Sequence, residues 1–147
     1  MIRRLLERFG GGDEPEDTAD ERRQLASAAL LIEVAKADAS FDTRERETLF
    51  RALSKTFVLS DQSLADLEEL AAERSSEAVS LHEFTRQIVE TSEPAERVEL
   101  IEQMWRVAYA DGRVDKYEDY LIRKVADLIY VSHSDLMRTK HNAGQPT

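Results

Sequence analysis

After residue 17 the sequence repeatedly opens on a helix cap and then sets its apolar residues three and four apart. Nothing alternates at period two for long enough to make a strand, so the chain is confined to an all-α fold. Four capping boxes are written in it: Thr18 with Glu21, Asp42 with Glu45, Ser80 with Glu83, and Asp115 with Glu118. In each, the first side chain accepts from a free N–H in the first turn, and the glutamate reaches back to the cap's own N–H. Ser60, Ser92 and Ser132 read as further caps, and Val79 with Phe84 as a hydrophobic staple around Ser80. The apolar stripes follow. Leu25, Ala28, Ala29, Ile32 and Ala35 form the first, and Leu49, Ala52, Leu53 and Phe57 the second. Leu64, Leu67 and Leu70 come next, then Leu81, Phe84, Ile88 and Val89. Val98, Ile101, Trp105 and Ala108 precede the last, Leu121, Val125, Leu128 and Ile129. With only five glycines and three prolines, long helices are favoured over a many-turned fold. The expectation is a single bundle of about seven helices, the last short and starting near His133, with Met104 and Trp105 in the core.

The chain also says nearly the same thing twice. "VAKADASFDTRE" (34–45) and "VAYADGRVDKYE" (107–118) align at an offset of 111 − 38 = 73. Phe41 then matches Val114, Leu49 matches Ile122 and Phe57 matches Tyr130, and each copy runs into a Ser-capped helix after a one-residue slip. Such self-similarity predicts two pseudo-symmetric helix–turn–helix hairpins packed together.

A chain of 147 residues suits one domain with one core. Residues 1–17 read as a short amphipathic leader (Ile2, Leu5, Leu6 and Phe9 against Arg3, Arg4 and Arg8) and an acidic linker; 18–140 form the helical domain, and 141–147 a tail. The absence of cysteine removes disulfides, thiolate metal sites and cysteine nucleophiles. A net charge of −10 argues against a nucleic-acid-binding surface and for cationic or basic partners. The longest apolar run, Ala28 to Ile32, is too short to cross a membrane, and the leader lacks the pattern of a secretory signal. A cytoplasmic location is therefore expected, with weak membrane-surface contact by the leader as a reading of its amphipathicity.

The chemistry concentrates in the two repeated turns. Asp42, Asp115, Glu45 and Glu118 stand at the positive ends of helices, where capping alone accounts for them. Asp38 and Asp111 close the preceding helices, where the dipole disfavours an anion. Either they bond their own turn's N–H groups, or the carboxylates share a hard cation of the Ca²⁺ or Mg²⁺ type. The spacing is too short for an EF-hand loop. His82, His133 and His141 are scattered, with no zinc spacing, and no nucleophile, phosphate-loop or dinucleotide motif is present. An acid/base hydrolase would need a deep pocket holding a carboxylate of raised pKa, for which the sequence gives no sign.

At these residues the chain resembles the TerB-like, tellurite-resistance-associated helical domains. The resemblance rests on "ADASFDTRE" (37–45), "ADGRVDKYE" (110–118) and the ending "VSHSDLMRTK" (131–140), and covers roughly Asp20 to Lys140. It implies a helical bundle with internal pseudo-symmetry, an association with chemical stress, and a divalent-cation site. Carried over, that site would comprise Asp38, Asp42, Glu45, Asp111, Asp115 and Glu118, with Ala39 departing from the usual glycine. Two non-enzymatic functions stay open: a cation-binding stress-response domain, and a metal-free interaction module. The module would use an acidic face, or the groove between the hairpins, to take an unidentified protein partner, basic or membrane-associated, with the leader assisting.

Overall fold

A computed structural model of the chain describes residues 18–37, 41–73 and 78–144. They form seven α-helices and one 3₁₀ turn, and no strand is found among them. The helices are α1 (Ala19–Lys36), α2 (Thr43–Thr56), α3 (Asp61–Ala72), α4 (Ala78–Thr91), α5 (Pro94–Ala108), α6 (Lys116–Leu128) and α7 (His133–Ala143), with the 3₁₀ turn Tyr109–Asp111 directly after α5. The fold is the all-α bundle that the spacing predicts. The leader falls outside the described residues.

Most caps do what their chemistry dictates. Thr18 accepts from the Glu21 N–H at 3.1 Å, Ser60 from Ser63 at 3.0 Å, and Ser132 from Asp135 at 3.1 Å. Two expected caps are displaced. Ser80 lies inside α4, which already starts at Ala78. Ser92 gives way to Glu93, because Pro94 suits the first helical position and Glu93 forms a reciprocal box with Glu96. The Ser92 hydroxyl instead donates back to the Ile88 carbonyl.

The centre of the bundle is α1. From Leu25 to Ala35 all of its residues are buried, Ser27 and Glu33 included, so its apolar character runs all round rather than down one stripe. It packs against α3, α4, α5 and α6; α5 also packs on α6 and α7. Trp105 and Met104 are fully buried in the core, as expected. The Lys140 ammonium lies 5.1 Å from the Trp105 ring centroid and 2.7 Å from Asp119, tying α5, α6 and α7 together.

The two hairpins are not packed alike. α6 buries Glu118, Ile122, Val125 and Ala126 against its neighbours. α2 buries only Leu53 fully, with Leu49, Phe50 and Phe57 half-covered, and contacts the other helices only sparsely. Their ends differ too, which accounts for the one-residue slip. α2 runs out into extended Phe57. α6 closes in a Schellman turn, with the Val131 N–H to the Ala126 carbonyl (2.9 Å) and the Tyr130 N–H to that of Asp127 (3.3 Å). Tyr130 there takes φ +63°, a position where glycine is usual.

Candidate functional site

The sparse packing of α2 leaves a cleft beneath it of about 530 Å³. Ala35 of α1, Phe41, Leu49 and Ala52 at and along α2, Val107 of α5 and Ala110 of the 3₁₀ turn give it apolar walls. Its polar groups are Arg44, Glu45, Thr48, Arg106 and Glu118. It lies in the groove between the two hairpins, with Phe41 and Glu45 of the first and Ala110 and Glu118 of the second on its lining. Glu45 and Glu118 are equivalent in the repeat (118 − 45 = 73), and both line the cleft. The lining is not purely acidic, because two guanidiniums accompany the two carboxylates. Arg106 also reaches Glu102, one turn back, at 2.9 Å.

The second turn is built around its glycine. The Gly112 N–H bonds the Tyr109 carbonyl at 2.9 Å, and Gly112 takes φ +103°. A Cβ there would meet nothing within 4 Å, so the requirement is backbone conformation and not space. Asp115 then caps α6, accepting from the Tyr117 N–H at 2.6 Å, while Glu118 accepts from the Asp115 N–H at 2.9 Å. Glu118 is 2 % exposed, so this capping carboxylate forms part of a buried wall. In the first turn Asp42 caps α2, accepting from the Glu45 N–H at 2.9 Å, and Glu45 lies exposed at the cleft. Asp38 and Ala39 lie outside the described residues, as does the side chain of Asp111.

The expected set of six therefore divides. Asp42 and Asp115 serve as caps; Glu45 and Glu118 line one cleft. A hard cation of the Ca²⁺ or Mg²⁺ type asks for about six to eight oxygens. Among the described residues no group of three or more His, Cys, Asp or Glu side chains gathers that could hold a metal. The described donors are right in kind for such an ion and too few in number.

Reading the turns alone misses a buried charge in α1. Glu33 is 2 % exposed, 3.2 Å from the Lys36 ammonium, which in turn donates to the Leu70 carbonyl at 2.8 Å near the end of α3. Lys36 thus meets the negative end of the α3 dipole. Burial pushes the Glu33 carboxyl above its ordinary range; Lys36 opposes this and Glu73 adds to it. The Glu33 Oε2 atom is buried with no hydrogen-bond partner. The sequence signal was an acid inside the apolar run 28–35. A second cavity, about 220 Å³, lies between α1, α4, α5 and the end of α2, and none of the acidic-turn residues lines it.

Comparison with known proteins gives a match at the level of the family. A family model described as tellurite resistance protein TerB matches residues 24–141. No curated protein matches the chain, and no solved structure does.

Proposed function

The chain belongs to the TerB tellurite-resistance family, and from that premise we propose that it is a non-enzymatic stress-response binding module whose working surface is the cleft between its hairpins. The observation that carries this reading is the cleft itself: apolar walls, about 530 Å³, with the repeat-equivalent Glu45 and Glu118 on its lining. Its size is that of an organic ligand or a few side chains, not of a bare ion. The occupant that fits is an amphipathic helix of a protein partner, laying apolar side chains against Leu49, Val107 and Ala110 and a basic residue toward the glutamates.

Calorimetric titration of the full chain with two amphipathic helical peptides tests it, one carrying lysines and one glutamates on the same apolar pattern. The lysine peptide should bind, and an Ala52→Trp variant, which fills the cleft, should lose that binding. Equal binding of both peptides, or unchanged binding by the variant, would refute it.

A second reading places a divalent cation at the two turns. It is favoured by the presence of Glu45 and Glu118 on one cleft, and it calls on Asp38 and Asp111 to join them. Thermal unfolding of the metal-stripped protein with Ca²⁺, Mg²⁺, Mn²⁺ or Zn²⁺ titrated in separates the two. An ion at one hundred times its dissociation constant adds about 2.7 kcal/mol of stability. That gain should vanish in Asp111→Asn/Asp115→Asn if the turns hold the ion.

A further inference from the structure

Three of the four tyrosines in the chain lie on α6 or at its end, and all three are exposed: Tyr117 by 64 %, Tyr120 by 66 % and Tyr130 by 77 %. We propose that the outward face of α6 is a docking surface for an anionic membrane.

The helical spacing puts Lys116, Tyr117, Tyr120, Lys124 and Asp127 on one side, opposite the buried Glu118, Ile122, Val125 and Ala126. The Lys116 ammonium sits 5.6 Å from the Tyr117 ring centroid. Arg113 is exposed just ahead of the helix. Asp127 is the one acid in this exposed row. The neighbouring acids are turned to other uses: Asp115 to capping the helix, Glu118 into the cleft wall, and Asp119 between Arg123 and Lys140. In a chain of net charge −10, this face therefore presents a cationic surplus. Its complement is an anionic surface.

Shape and side-chain type choose the kind of surface. The face is the convex side of one helix, and neither of the two cavities described above includes any of its residues. A peptide partner asks for a groove or a sheet edge, whereas a bilayer offers a broad plane. Tyrosine and lysine are both amphipathic, with an apolar body and a polar tip, and suit the headgroup depth of a bilayer. Met137, beside Arg123 (Nη2 to Sδ 3.9 Å), extends the apolar part of the patch onto α7. Tyr130 adds an independent sign. It holds a left-handed backbone position that glycine would fill with less strain, and it leaves its ring in solvent. A strained residue kept for its exposed side chain points to function.

The test is co-sedimentation of the full chain with vesicles of phosphatidylcholine alone, or with phosphatidylglycerol replacing a third of it. The protein should partition to the anionic vesicles and release as salt rises. Lys116→Gln/Lys124→Gln should weaken that partitioning about thirty-fold, each lysine being worth about a factor of five near an anionic surface. Tyr117→Ser/Tyr120→Ser should weaken it as well. Both variants should keep the parent's unfolding midpoint, read by Trp105 fluorescence, since all four side chains are exposed. Equal binding to both vesicle types, or to neither, overturns the proposal. So does loss of binding only in Arg3→Gln/Arg4→Gln/Arg8→Gln, which would assign the attraction to the leader.

Discussion

Replacing Leu53 with alanine should release α2 without unfolding the bundle. Among the fourteen residues of α2, Leu53 alone is fully buried, at 2 % exposure. Leu49, Phe50 and Phe57 lean half-covered on the core, and the Val58 N–H donates to the Gln24 side chain at 2.7 Å just past the helix end. Full burial of one leucine is worth about 1.5–3 kcal/mol, and Leu→Ala at a buried site costs about 2–5 kcal/mol. The single hydrogen bond adds about 1 kcal/mol. The free energy holding α2 down is therefore of the same order as the loss from one truncation, and well below a typical global stability of about 5–15 kcal/mol. Native-state amide exchange reads this directly. In the parent, α2 amides should exchange through a local opening, faster than those of α1. In Leu53→Ala they should approach unprotected rates while α1 and α5 keep their protection. Ile101→Ala, deep in the core, should instead lower protection everywhere. If α2 and α1 amides lose protection together in Leu53→Ala, α2 is part of the global unit and the reasoning fails.

Tyr130→Gly should stabilise the protein by about 0.5–1 kcal/mol, the relief of left-handed strain less the entropy of glycine in the unfolded chain; Tyr130→Val should destabilise it, as thermal melts will show. Gly112→Ala should cost about 1 kcal/mol although its methyl group meets nothing, and Gly112→Asn should cost less. The pH dependence of urea unfolding should carry two opposed signs. The Glu33 pKa is raised on folding, so its contribution is fully present below about pH 4.5 and is lost as pH rises through the higher folded value. The pKa of Asp119 is depressed by Lys140 and Arg123 against the opposing effect of burial, so its contribution is lost as pH falls below about 3.8. Glu33→Gln should flatten the fall above pH 4.5 and leave the acid limb in place.

The sequence showed the helices well because their ends carry specific chemistry. Thr18, Asp42, Ser60, Asp115 and Ser132 all cap where their spacing placed them. Ser80 and Ser92 failed because a serine one or two residues from a helix start is equally at home in a first or last turn, and Pro94 fixed the α5 start more firmly. Position in the bundle was harder to read. The pattern of α2 is a sound amphipathic stripe, yet the helix is peripheral, because α1, buried all round, takes its cover from four other helices. The duplicated turns drew attention to Glu45 and Glu118, and both line one cleft. That these two share a cleft, while Asp42 and Asp115 are held by backbone N–H groups, depends on how the hairpins pack, which no local spacing encodes. Glu33 shows the converse case: its position within an apolar run was plain, and its meaning appears only when Lys36 and the end of α3 close around it.

The most direct test of the account is methyl chemical-shift mapping of the full chain as the lysine-bearing amphipathic peptide is added. The cleft offers six methyl-bearing reporters of its own: Ala35, Thr48, Leu49, Ala52, Val107 and Ala110. These should move together and saturably, and should stay still with the glutamate-bearing peptide. Shifts confined to other surfaces, or none at all, would contradict the assignment of the cleft as the working site.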